Sequence, residues 1–298
     1  MTRPGLVLFI LTGLAFAGSS TDLPANTYRT TVSEVRITFF ATDQNNHPVE
    51  NIEKDDFAVV DNGAVIRDFR SLMRSDETAL DVVAVVDASE SVAPRFQETA
   101  NEVLQLVSQR QLASDDNVSI VSFGGLQPVV VCSRNCRAAA AGQKLLAVKA
   151  AGATPLFDAL AHGADLVASR QSPGVRPVLV LFSDGDDTIS RTSPRDAIDA
   201  VVASGAPLYA VDLNNAPNGS NGSAALQQMA AATGGRFFSI HDGAVNVLEA
   251  ALGDLRASYI VTYQLPSHVA GFHSIRILPK HDLNLHFHCR NGYYYPLP

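Results

Sequence analysis

Asp81-Val82-Val83-Ala84-Val85-Val86-Asp87-Ala88-Ser89-Glu90-Ser91 is the stretch that decides how this chain is read. From Asp81 to Val86 the run is almost continuously apolar, as expected of a parallel strand covered on both faces. The three oxygen-bearing side chains of Asp87, Ser89 and Ser91 follow where that strand stops. In open α/β sheets, ligands sit beyond the carboxyl ends of the strands.

Outward from this stretch the pattern alternates strand and helix. A helix is expected from about Ala93 to Gln111, with Phe96, Ala100 and Val103 on one stripe. Strands near Val118–Phe123 and Pro128–Val131 precede helices near Ala138–Ala150 and Pro155–Ser169. A strand Val178–Phe182, a helix Pro194–Ser204 and a strand Leu208–Val211 come next. A helix near Ala224–Thr233, a short strand Arg236–Ser239 and a last helix Ala244–Ser258 complete the series. Such alternation means a doubly wound, mostly parallel sheet with helices on both faces, an α/β fold.

Both flanks read as β. Between Thr30 and Leu72 the alternating Val-Arg-Ile-Thr-Phe and the Asn62-Gly63 turn predict strands and a hairpin. After the last helix, strands are expected at Tyr259–Leu265, His273–Leu278 and Leu283–Cys289. Neither flank is large enough to bury a core alone. The economical arrangement packs them together as one small β domain with the α/β domain inserted between them; two separate β appendages are the alternative. The expected division is an export signal at 1–17, an N-terminal β segment at 18–78, the α/β domain at 79–258 and a C-terminal β segment at 259–298.

The chain has 298 residues, 46% of them hydrophobic, and a formal net charge of -8. That acidity argues against nucleic acid, which needs a basic footprint. Arg3, the apolar run Leu6–Ala17 and Ala15-Phe16-Ala17 at its end have the form of a signal peptide. The run is shorter than the about 20 residues of a membrane-spanning helix, and later apolar runs are strand-length. A secreted or periplasmic protein without a transmembrane span in its mature form follows. In such a compartment Cys132 and Cys136 are candidates for a small-loop disulfide, leaving Cys289 over, and no second cysteine pair suggests zinc.

Two further groups join the first three at the same edge. Thr154 in Gly-Ala-Thr-Pro-Leu opens a helix, and Asp184 in Val-Leu-Val-Leu-Phe-Ser-Asp-Gly closes a strand. Parallel strands point the same way, so Asp87 and Asp184 belong at one edge of the sheet. Each residue has a plainer explanation: Ser89, Ser91 and Thr154 as helix caps, Asp184-Gly185 as a turn. All five coinciding at strand and helix ends favours a shared divalent cation.

The α/β region resembles a von Willebrand factor type A domain, and the five residues match its metal-ion-dependent adhesion site. Asp-Asp-Phe, Asp-Asn-Gly, Ser-Tyr-Ile-Val-Thr-Tyr and the final Arg-Asn-Gly-Tyr-Tyr extend the likeness to a bacterial, secreted family related to von Willebrand factor A. The resemblance implies that Ser89, Ser91 and Thr154 bind Mg²⁺ directly, with Mn²⁺ or Ca²⁺ as alternatives, and that Asp87 and Asp184 hold its waters. Mg²⁺ takes hard oxygen ligands and keeps waters. The function implied is a non-catalytic, adhesion-type module that captures an Asp or Glu of a partner protein. The rivals are a metal-assisted hydrolase and a structural part of an envelope assembly. The sequence contains no Gly-x-Ser-x-Gly elbow, phosphate loop or dinucleotide fingerprint.

Lesser features are read as follows. The Asn214–Ser223 loop belongs at the metal edge and is placed to shape partner choice, unless it is a plain connector. Asp186 and Asp187 are expected to be solvated turn residues rather than holders of metal waters. His286 and His288 are expected to be packed or surface residues before metal ligands, and Tyr293–Tyr295 to close the β domain.

Overall fold

Residues 34–75, 79–108, 116–134, 136, 138–170, 172, 174–214, 220–240 and 244–295 are described by a computed structural model. The expected export signal at 1–17, the start of the N-terminal segment and the junction at 78 lie outside the described residues, as does the expected end of the first helix at Gln111.

The central strand β5 (Ala79–Asp87) shows why its sequence lacks alternation. Leu80, Val82, Ala84 and Val86 enter one core, while Val83 and Val85 enter a second core on the opposite face. Its neighbours are β6 (Asn117–Phe123), β7 (Val129–Cys132), β8 (Val175–Ser183), β9 (Leu208–Asp212) and β10 (Phe237–Ser239), in the order β10-β9-β8-β5-β6-β7. All pairs are parallel except β6 with β7. Helices α1 (Phe96–Ser108), α2 (Ala138–Leu145) and α6 (Ala244–Arg256) cover one face. The other face carries α3 (Leu156–Ala168), α4 (Pro194–Ser204) and α5 (Asn221–Thr233). Ser193 caps α4 by accepting from the Asp196 N–H, and Gly205 ends it at φ 71, the left-handed stop that glycine favours. Cys132 and Cys136 are joined as a disulfide.

The flanks pair with each other. β1 (Glu34–Thr42) lies between β11 (Tyr259–Gln264) and β13 (His286–Cys289), antiparallel to both, and β4 (Ser71–Arg74) closes that sheet on β11. A second sheet runs β14 (Gly292–Tyr295), β12 (Gly271–Pro279), β2 (Phe57–Asp61), β3 (Ala64–Ile66). The two enclose a core with Ile37, Phe39, Phe57, Val261 and Ile277. The fold class is therefore as expected: a doubly wound sheet carried between two β segments that make one small β domain. The Tyr293–Tyr295 run lies in the edge strand β14, which pairs Tyr294 with Phe272 of β12.

A buried polar knot ties the two sheets. Asp61 is 0% exposed, and its Oδ2 accepts hydrogen bonds from Tyr263 Oη at 2.7 Å and Tyr293 Oη at 2.8 Å. His273 Nδ1 stands 3.5 Å from the other carboxylate oxygen, while its Nε2 bonds the Val269 carbonyl at 2.7 Å; a carbonyl only accepts, so Nε2 carries a proton. Removing the shared acceptor strands the buried Tyr263 hydroxyl and leaves the half-buried Tyr293 hydroxyl with only His273 Nδ1, 3.3 Å away. Asp61→Ala is expected to lower the stability of the protein by about 2–4 kcal/mol, read as an earlier midpoint in urea unfolding. Tyr293→Phe, which removes one donor and leaves the other bonded, is expected to cost about 1 kcal/mol.

Candidate metal centre

Asp87 ends β5 wholly buried, and its carboxylate is held from two sides. Oδ1 accepts the Ser89 N–H at 2.9 Å, and Oδ2 accepts Ser183 Oγ, on the last residue of neighbouring β8, at 2.7 Å. The strand register sets this up, since Val86 pairs with Phe182. The Asx-type turn on Asp87 carries the chain past Ser89, and Ser89 Oγ lies 3.1 Å from Ser91 Oγ. Ser89 is buried whereas Ser91 is exposed, so the pair opens toward solvent.

Thr154 arrives through backbone stitching. Ala151 N–H donates to Ala88 O at 2.9 Å, Glu90 N–H to Gly152 O at 3.0 Å, and Gly125 N–H to Ala153 O at 2.8 Å. These bonds bring the segment before Thr154 against the Ser89 turn. A Cβ on Gly124 would stand 2.4 Å from Ala88 O, so only glycine permits this approach. On its other side Thr154 pairs with Thr188: its N–H donates to Thr188 Oγ1 at 2.7 Å, and Thr188 N–H returns to Thr154 O at 2.9 Å.

Asp184 follows Ser183 on the next loop and is 7% exposed. Its carboxylate accepts the Asp186 N–H at 3.2 Å, and its carbonyl accepts Asn214 Nδ2 at 2.8 Å. Gly185, at φ 81, packs directly on Gly222; a Cβ there would lie 2.2 Å from Gly222 O. The described ends of the Asn214–Ser223 segment thus reach the Asp184 loop, as strand direction required. Residues 215–219 lie outside the described residues, and 221–223 already belong to α5.

The capping explanations do not hold. The first helix is entered through a 3-10 turn at Ala93–Arg95, whose cap residue Val92 makes no side-chain bond. At α3 the cap position is Pro155, not Thr154. The open N–H groups of α3 are met from afar, Leu156 by Asp187 Oδ1 at 2.9 Å and Phe157 by Ser190 Oγ at 3.0 Å. Asp187 is therefore a helix cap rather than a solvated turn residue, a role hidden because its partner lies 31 positions away. Sequence reasoning also missed Ser183 and the Asp212 cluster. Asp212 Oδ1 accepts Asn214 Nδ2 at 2.7 Å, and Asp212 Oδ2 accepts Ser223 Oγ. His288 is a packed residue: it stacks on Phe40 at 4.5 Å and reaches Thr42 Oγ1 at 3.0 Å.

Burial pushes Asp87 up to about 6, against the hydrogen bonds from Ser183 and Ser89, and the Asp184 charge adds to the rise. Asp186 is also raised, by burial and then by Asp184. Asp87 and Asp184 are both buried, so water screens that pair poorly, whereas Asp186 is exposed. Its donor set of three hydroxyls and two carboxylates suits a hard cation, and the 3.1 Å Ser89–Ser91 separation matches the roughly 3.0 Å edge of an octahedron with ~2.1 Å bonds. Among the described residues there is no cluster of three His, Cys, Asp or Glu able to hold a metal; the oxygen donors gathered here include alcohols, which such a cluster does not count.

Residues 81–251, more than half of the chain, match the model of the von Willebrand factor type A domain. The chain belongs to the von Willebrand factor type A family. Membership makes this type A domain a protein-interaction, adhesion-type module of a kind that commonly binds a divalent metal. Among solved structures it is similar to an aerotolerance-related membrane protein of Bacteroides fragilis NCTC 9343 carrying multiple mutations to serines: 18% identity, 59% of this chain and 98% of that one, TM-score 0.48. It is also similar to a von Willebrand factor type A protein from Catenulispora acidiphila, at 14% identity over 89% of this chain and 76% of that one, TM-score 0.46. No curated protein matches the chain significantly. No helix among the described residues is long and apolar enough to cross a membrane.

Two outcomes follow for the type A domain without metal. A carboxyl raised on folding binds its proton more tightly in the folded state, so its contribution falls as pH rises from its unfolded value near 4 through about 6. Asp87→Asn is therefore expected to raise the melting temperature of chelator-treated protein by a few degrees at pH 7.5 and to give no gain at pH 4, checked by differential scanning calorimetry. Asp187→Ala removes the α3 cap and is expected to cost about 1–2 kcal/mol in denaturant unfolding.

Proposed function

We propose that this type A protein is an exported, non-catalytic module that binds a partner protein through a divalent cation, Mg²⁺ first. The observation carrying this reading is the Ser89–Ser91 hydroxyl pair, 3.1 Å apart above the buried Asp87 carboxylate. Ser89, Ser91 and Thr154 would hold the ion directly, with Asp87 and Asp184 holding its waters. When bound, the ion supplies an electrophilic position that an Asp or Glu of the partner completes, because hydroxyl ligands leave its charge under-neutralised.

The chain's own residues do the rest. Ser183 keeps Asp87 oriented, and the Thr154–Thr188 pair fixes the backbone that carries the third hydroxyl. Leu126, 87% exposed, and Ile189, 39% exposed, stand on the loops that bond to Ala153 and Thr154. They give an apolar rim beside the acidic centre, the arrangement of anchor and polar contacts common to protein interfaces. The Cys132–Cys136 disulfide supports an oxidising compartment, periplasmic or extracellular.

Titration calorimetry with MgCl₂ tests the reading. Wild type is expected to bind one ion, and Ser89→Ala and Asp184→Ala to weaken it by about tenfold or more. Affinity unchanged in both variants would sink the proposal. Leu126→Asp is expected to leave Mg²⁺ affinity intact while reducing chelator-sensitive capture of envelope proteins from the producing cell.

A further inference from the structure

A partly open cavity of about 180 Å³ lies between β1 and the beginnings of β8 and β9, at the opposite edge of the parallel sheet from Asp87. Arg176, which borders it, lies seven residues back along β8 from Ser183, a span of about 23 Å at ~3.3 Å per residue. In a chain of net charge -8, three arginines line this space, Arg36, Arg176 and Arg290, with no Asp or Glu among the described lining residues.

The polar groups there are held in place yet incompletely used. Arg176 Nη1 is anchored on Leu255 O at 2.6 Å, and Arg290 Nη2 on Arg36 O at 3.2 Å. Arg290 Nε is buried without a hydrogen-bond partner among the described residues, and so is the hydroxyl of Tyr209, a residue 0% exposed. Buried donors left unmade cost free energy that a bound acceptor restores. Burial also pulls the Arg290 guanidinium below its ordinary value, as expected of a cation short of negative charge.

We propose that this cavity binds a small organic carboxylate with an apolar body about the size of a single ring. The fork of a guanidinium matches a planar carboxylate bidentately, and the Tyr209 hydroxyl adds a further donor. Phe40, Pro177 and Leu255 give the same space apolar walls. An apolar cavity of about 150 Å³ is enough to take up benzene, so the volume here suits one ring. The ligand would bridge the β domain, through Arg36 and Arg290, to the type A domain, through Arg176 and Tyr209. The site is independent of the metal centre and stands or falls without it.

Titration calorimetry of the whole chain with benzoate, benzyl alcohol and sulfate tests it. Saturable benzoate binding is expected, with benzyl alcohol and sulfate each at least about tenfold weaker because each lacks one half of the recognition. Tyr209→Phe removes a hydroxyl that bonds nothing among the described residues and Arg36 is exposed, so that variant and Arg36→Gln keep the fold. Each is expected to weaken benzoate about tenfold, while Asp184→Ala leaves it unchanged. Absence of saturable benzoate binding at millimolar concentration overturns the proposal. So does equal affinity for either control, or wild-type affinity in both cavity variants.

Discussion

A carboxylate removed from water must be held by donors, and that of Asp87 sits wholly inside the protein. Its donors come from the turn that ends β5 and from the last residue of β8, two strands whose register cannot drift. Moving β8 by one residue against β5 would turn Ser183 to the other face, and it would exchange the residues that fill the two cores. Packing on both sides of the sheet therefore fixes the chemistry at its end. The same burial that raises Asp87 to about 6 makes the metal-free centre energetically uncomfortable at neutral pH, and a cation would relieve that discomfort.

Much of this was legible in the residue order. Asp81–Val86 reads as a doubly covered strand because each successive side chain meets a core. Asp87 and Asp184 could be placed together because parallel strands end at a common edge. The pairing of the two flanks followed from their being too small to fold alone, and β1 between β11 and β13 shows how that is done. The three hydroxyls of Ser89, Ser91 and Thr154 stood out only as a set, since each on its own resembles a cap.

What stayed hidden depends on contacts distant in sequence. Asp187 reads locally as part of an Asp-rich turn, and only the position of α3 reveals it as a cap. Asp212, Asn214 and Ser223 form their network because Gly185 and Gly222 let two loops touch backbone to backbone. The arginine-lined cavity draws on residues 36, 176 and 290, which no periodicity links. It exists only where the inserted and flanking parts meet. Acidic groups crowd one edge of the sheet and guanidinium groups the other, although strand patterning treats both edges alike.

The route of the chain through the β domain has a consequence for biogenesis. Phe39 of β1 pairs with Tyr259 of β11, so an apolar strand made early must wait for a partner made much later. At ~5–20 residues per second the interval is about 10–40 s, ample time for the inserted domain to fold while β1 stays unpaired. An orphan strand with open edges on both sides invites mispairing with another nascent copy. Delivery of this protein would therefore profit from a holding chaperone that recognises extended apolar segments until the closing strands emerge.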